Sequence, residues 1–163
     1  MVDKPESIIV GVSDAKISTN PNSVLITHAL GSCIGVAVYE PVKKIGGLLH
    51  FQMSQSDGTK VNENPFKFAD TGFGTMLDKL LSLNANKKRL LVKIAGGANR
   101  FNSKSETFDI GKNNYLAIRK VLWKKGLLIR DQDVGGNIPR TMYFDLSDGS
   151  VTIKSAGKII KVM

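Results

Sequence analysis

The chain carries one cysteine, Cys33, and two histidines, His28 and His50, in 163 residues. A thiol beside an imidazole is the smallest pairing able to do nucleophilic acyl chemistry. The ring takes the thiol proton and leaves a thiolate–imidazolium pair. Cys33 stands within Thr27-His28-Ala29-Leu30-Gly31-Ser32-Cys33-Ile34-Gly35-Val36. Gly31-Ser32 reads as a bend, so Cys33 falls at the first position after a turn, held rigidly yet reachable. His50 closes another apolar run seventeen residues later. If the strands carrying them are neighbours, thiol and imidazole meet across them. Thr27 ends the strand leading into the turn and offers a hydroxyl that can orient the imidazole. Backbone N–H groups around Gly31, Ser32 and Cys33 are candidates for an oxyanion hole. Each residue also has a plainer reading. A lone cysteine between apolar strands packs as a small inert core residue, and threonine is common in strands.

The elements that must position these groups are legible from hydrophobic patterning. Short runs rich in β-branched residues predict strands at 8–12, 24–28, 34–39 and 46 to about 53. Glu40-Pro41 breaks the third, because proline cannot donate to a ladder. Residues 54–65 read as a long loop flanking the strand of His50. Phe73, Met76, Leu77, Leu80 and Leu81 fall on one face of a helix over 67–83, with Asp70 complementing the dipole in its first turn. A strand follows over 89–95. It ends in Gly96-Gly97, where another group can approach the backbone closely, before Ala98-Asn99-Arg100-Phe101. A second helix spans 110–125, with Tyr115, Ile118, Val121 and Leu122 on one face and Gly126 at its end. A strand begins at Leu127. Asp133-Val134-Gly135-Gly136-Asn137 is a second paired-glycine turn. Residues 142–146 and 151–154 form a hairpin through Asp148-Gly149, and 158–163 is a terminal strand or tail. About eight strands and two main helices, strands bunched at both ends, predict an α+β layered sandwich with mostly antiparallel or mixed sheets.

Composition narrows the classes. The chain is 42% hydrophobic and 23% charged, as expected of one folded domain over 1–163. A single cysteine excludes an intramolecular disulfide and any all-cysteine metal site, and no metal or cofactor is expected. No signal pattern or apolar run of bilayer length is present, so a cytoplasmic protein without membrane insertion is expected. The net charge of +9 suits acidic partners. Its lysine clusters lack interleaved aromatics, so nucleic acid is not the expected partner. The nucleophile elbow of serine hydrolases does not match Leu30-Gly31-Ser32-Cys33-Ile34, and the phosphate-loop and dinucleotide patterns are absent.

Thr27 with Leu30-Gly31-Ser32-Cys33, then His50, resembles the CheD family of chemoreceptor glutamine deamidases. Lys67-Phe68-Ala69-Asp70, Lys93-Ile94-Ala95-Gly96-Gly97-Ala98, Ile110-Gly111-Lys112-Asn113-Asn114 and Asp133-Val134-Gly135-Gly136-Asn137 look like later blocks of that family, in order. The chain departs from the usual pattern near Ser54, where a proline is common, and at His28-Ala29. The resemblance implies Cys33 as nucleophile, His50 as general base and Thr27 as the group orienting it. It implies a fold akin to the catalytic domain of the cytotoxic necrotizing factor toxins. It also implies methyl-accepting chemotaxis receptors as substrates and a CheC-type phosphatase as partner. Two other readings stay open: a cysteine hydrolase with another substrate, and a non-catalytic module that regulates CheC or a receptor.

Overall fold

A computed structural model describes residues 3–58, 63–99 and 109–163. Arg100, Phe101 and part of the 54–65 loop lie outside them. Ten strands are formed among the described residues: β1 (Glu6–Val10), β2 (Asp14–Ser18), β3 (Ser23–Leu30), β4 (Ile34–Glu40), β5 (Ile45–Phe51), β6 (Leu91–Gly96), β7 (Ile129–Val134), β8 (Arg140–Asp145), β9 (Val151–Ser155) and β10 (Lys158–Val162). The α-helices are α1 (Ala69–Ser82) and α2 (Ile110–Lys124). The strands make two five-stranded sheets, one ordered β1-β3-β8-β9-β10 and the other β2-β5-β4-β6-β7.

Two apolar layers show how the pieces stack. In β4, Ile34, Val36 and Val38 join Phe73, Met76, Leu77 and Leu80 of α1 and Ile118 and Leu122 of α2 in one core. The alternate residues Ala37 and Tyr39 join Leu25, Met142, Phe144, Val151 and Ile153 of the other sheet in a second core. The order is therefore helices, second sheet, first sheet. Because successive side chains point to opposite faces, a sheet in the middle must be apolar on both, and β4 and β5 are buried along their whole length. The α+β layered sandwich with mixed sheets and two main helices is the architecture expected from the sequence.

Three details differ. β2 is absent from the expected strands, because Asp14-Ala15-Lys16-Ile17-Ser18 offers only Ala15 and Ile17 to the core. β7 starts at Ile129 and runs through Asp133-Val134, so the paired-glycine turn is shorter than its motif. The β6-α2-β7 segment is a parallel crossover within an otherwise largely antiparallel sheet.

The link between β3 and β4 matters most for function. The chain leaves the first sheet after Leu30 and enters the second at Ile34. Gly31, Ser32 and Cys33 make the crossing. Ala29 takes φ +58° in a bulge that shifts the β3–β8 register between Thr27 and Leu30.

Candidate active site

Thr27 and His50 sit on different sheets and meet in the interior between them. Thr27 shares the face of Leu25 in β3, and His50 shares the face of Leu48 in β5, both lining the inter-sheet core. Both residues are fully buried. The Thr27 hydroxyl donates to the Val10 carbonyl at 2.8 Å, and its oxygen lies 2.8 Å from Nδ1 of His50. The single hydroxyl proton is committed to Val10, so Nδ1 must carry the proton and donate to threonine. Nε2 is then the lone-pair nitrogen. It is buried and has no hydrogen-bond partner among the described residues.

Cys33 comes to the same side of the second sheet. Gly35 pairs directly with His50 across β4 and β5. Cys33, two residues before Gly35, therefore lies diagonally from His50 on the same face, and its side chain packs against the inter-sheet core. Diagonal neighbours in a ladder stand roughly 7 Å apart, a span that aromatic and long side chains bridge. Above Gly35 the face is filled by Met142 and Leu30. A methyl group there would come 2.8 Å from Sδ of Met142 and 3.1 Å from Leu30. No hydrogen bond joins the thiol to Nε2 in this structure.

Burial sets the protonation states. It holds His50 down at about 4, so the imidazole is neutral at neutral pH. Burial also pushes the Cys33 thiol up, partly offset by the residue's own backbone N–H approaching the sulfur. Both shifts favour a neutral thiol and a neutral imidazole at rest. The thiolate–imidazolium pair expected from residue types is therefore not the resting state.

The Gly31–Cys33 turn is held through its carbonyls. That of Gly31 accepts from the Ala98 N–H at 2.8 Å, and that of Cys33 from the Gly97 N–H at 2.9 Å. Nδ2 of Asn114 donates to the Ser32 carbonyl at 3.0 Å and to the Gln52 carbonyl at 2.8 Å. Gly96 and Gly97 make this close approach possible. They take φ +113° and +65°, and a Cβ on Gly96 would collide with the Cys33 carbonyl. Gly111 admits α2 against the Gly97 and Ala98 carbonyls in the same way. Residue chemistry alone did not single out Asn114. The signal was present, because Asn114 lies in line with Ile118 and Leu122 at i, i+4 and i+8 on the buried stripe of α2.

The described residues contain no group of three or more His, Cys, Asp or Glu side chains able to hold a metal ion, and none of their helices is long and apolar enough to cross a membrane. A threonine-bonded imidazole and a cysteine packed on the same face of a layered α+β sandwich are the residue types that cysteine–histidine chemistry uses. The family model for CheD, chemotactic sensory transduction, matches residues 52–155. The chain is 43% identical to the "Probable chemoreceptor glutamine deamidase CheD" of Solibacter usitatus, over 94% of this chain and 91% of that one. It is also 43% identical to a protein of the same name from Desulforamulus reducens, over 96% and 95% of the two chains. The chain belongs to the CheD family. Among solved structures it is similar to the Bacillus licheniformis hypothetical protein YfiH, with a TM-score of 0.49 and 13% identity over 74% of this chain and 49% of that one.

Proposed function

We propose that the chain, as one catalytic unit over 1–163, hydrolyses glutamine side chains on the cytoplasmic helices of chemotaxis receptors to glutamate, with Cys33 as nucleophile. The reading draws on the names of its relatives. The observation that carries it is the Thr27–His50 bond, which leaves Nε2 unprotonated on the face shared with Cys33.

The Cys33 sulfur attacks the side-chain amide carbon as its proton passes to Nε2. The resulting imidazolium keeps its Nδ1–H on Thr27. Backbone N–H groups of Ser32 and Cys33 receive the oxyanion. The imidazolium then gives its proton to the amide nitrogen, the C–N bond breaks, ammonia leaves and a thioester remains. Water attacks the thioester carbon and yields its proton to Nε2. The C–S bond breaks, the sulfur recovers the proton, and glutamate is released. No oxidant, metal or organic cofactor enters the balance.

The reaction adds one negative charge to the receptor. The +9 charge suits docking on acidic receptor helices in the cytoplasm, and a CheC-type phosphatase is the regulatory partner we propose. The test is mass spectrometry of receptor fragments incubated with the protein and with its Cys33→Ala variant. A gain of about one dalton on glutamine, lost in the variant, is expected of amide-to-acid conversion through a cysteine. Conversion that persists in the variant would refute the mechanism. No conversion by either protein would favour the non-catalytic regulatory module.

A further inference from the structure

Asn114 takes no part in the steps above, yet it is fully buried and its side-chain amide is used almost to capacity. Both Nδ2 protons are engaged, one on Ser32 O at 3.0 Å and one on Gln52 O at 2.8 Å. Oδ1 accepts from the Ser54 hydroxyl at 3.1 Å. The two carbonyls belong to different segments. Ser32 immediately precedes Cys33, and Gln52 lies two residues beyond His50. One amide thus ties the turn bearing the sulfur to the strand end bearing the imidazole.

The peptide joining Ser32 to Cys33 is trans, because the described chain has no cis bonds. In a trans peptide the carbonyl and the following N–H point to opposite sides of the chain. A Ser32 carbonyl turned to α2 therefore turns the Cys33 N–H away from α2. That is the side on which the thiol packs, since α2 covers one face of the second sheet and Cys33 projects from the other. The flanking carbonyls of Gly31 and Cys33 are held by backbone N–H groups. Only the Ser32 carbonyl, the one whose direction fixes the Cys33 N–H, is held by a side chain.

We infer that Asn114 is a positioning residue: its grip on the Ser32 and Gln52 carbonyls aims the Cys33 N–H at the substrate oxygen and fixes that peptide relative to the strand of His50. The inference rests on Cys33 being the nucleophile. Asparagine suits the task because it presents two donors from one atom. Aspartate has none, and an apolar residue would leave two carbonyls unsatisfied.

The test compares Asn114→Ala with Ile118→Ala. Ile118 is buried one turn further along α2 in the helix-side core and holds none of the turn's carbonyls. Kinetics on a purified receptor cytoplasmic fragment should show kcat for Asn114→Ala lowered about 100-fold, the scale of losing one oxyanion donor, with KM changed less than about threefold. Ile118→Ala should melt at least as low yet keep kcat within about threefold, because the cavity it leaves removes no hydrogen bond to the turn's carbonyls. Equal kcat losses in the two variants, or an undiminished kcat for Asn114→Ala, would overturn the role. Should Asn114→Ala not fold, a crystal structure of the unaltered chain decides. It would carry the thiohemiacetal that Cys33 forms with a peptide whose glutamine is replaced by the γ-aldehyde. The adduct oxygen is expected on the Cys33 N–H, and an oxygen pointing elsewhere would refute the inference. Cys33→Ala, run alongside, separates the two levels. If it retains activity, the proposed mechanism fails and the inference with it. If it is inactive while Asn114→Ala is not, only the positioning role fails.

Discussion

Replacing Thr27 with valine keeps the shape of the side chain and removes one oxygen. That oxygen makes two buried hydrogen bonds, to the Val10 carbonyl and to Nδ1 of His50, each at 2.8 Å. Valine leaves both partners buried without a substitute, and an unsatisfied buried polar group costs about 1–3 kcal/mol. With the threonine oxygen gone nothing fixes the proton on Nδ1, and Nε2 has no acceptor either, so one ring N–H stays unsatisfied and the tautomer preference is lost. The net loss is then about 2–3 kcal/mol, which for a domain of this size is a fall of roughly 4–12 °C in melting temperature. Thr27→Ser keeps the oxygen and loses one buried methyl, about 1 kcal/mol. Thermal unfolding of the three proteins measures the stability. Long-range 15N–1H correlation of the His50 ring measures the tautomer. The parent and Thr27→Ser should show Nδ1–H with Nε2 bare, and Thr27→Val should lose that preference together with deamidation. A Thr27→Val protein melting within 2 °C or so of the parent would sink the reasoning. So would a parent His50 protonated at Nε2.

His50 also predicts how stability depends on pH. Its folded value of about 4 lies below the unfolded value of about 6.5, so the unfolded chain binds the extra proton first as acid is added. Stability should be level above about pH 6.5 and fall by about 3 kcal/mol by pH 4, a loss that His50→Gln should lack in urea titrations across that range. Glu40 behaves oppositely in mechanism: its hydrogen bonds and ion pair with Arg89 hold its carboxyl at about 2. Its contribution is present above the ordinary glutamate range and disappears as pH falls through 2, so Glu40→Gln should flatten the acid limb of the melting curve. Gly35→Ala should cost about 1–3 kcal/mol by crowding Met142 and Leu30, and should slow turnover because the methyl group stands opposite His50. Gly96→Ala should fail to give folded protein by circular dichroism, since its φ of +113° and its contact with the Cys33 carbonyl both exclude a Cβ.

Much of this candidate site was legible because the residue types are few. With one cysteine and two histidines there are only two thiol–imidazole pairings, and the end of an apolar run at His50 favours one. α1 was equally plain, since Phe73, Met76, Leu77 and Leu80 repeat at helical spacing and all are buried. The turn at Gly31–Cys33 was visible as a bend, but its passage from one sheet to the other was not. Sheet membership follows from pairing of β3 with β8 and of β4 with β6, partners distant in sequence. The partner that commits the Thr27 proton, a backbone carbonyl at Val10, has no side-chain signature at all. Asn114 did leave one, a polar residue on an apolar stripe, where burial without a partner would be costly.

The imidazole is seated on one sheet and tethered from the other, so its aim depends on how the two sheets lie against each other. A small slide of the layers would lengthen the Thr27–His50 contact before any strand came apart. Turnover is then a finer gauge of that interlayer fit than any melting curve. Substitutions among Leu25, Leu48, Met142 and Phe144, which pack between the two sheets, should lower turnover in a protein that still looks whole.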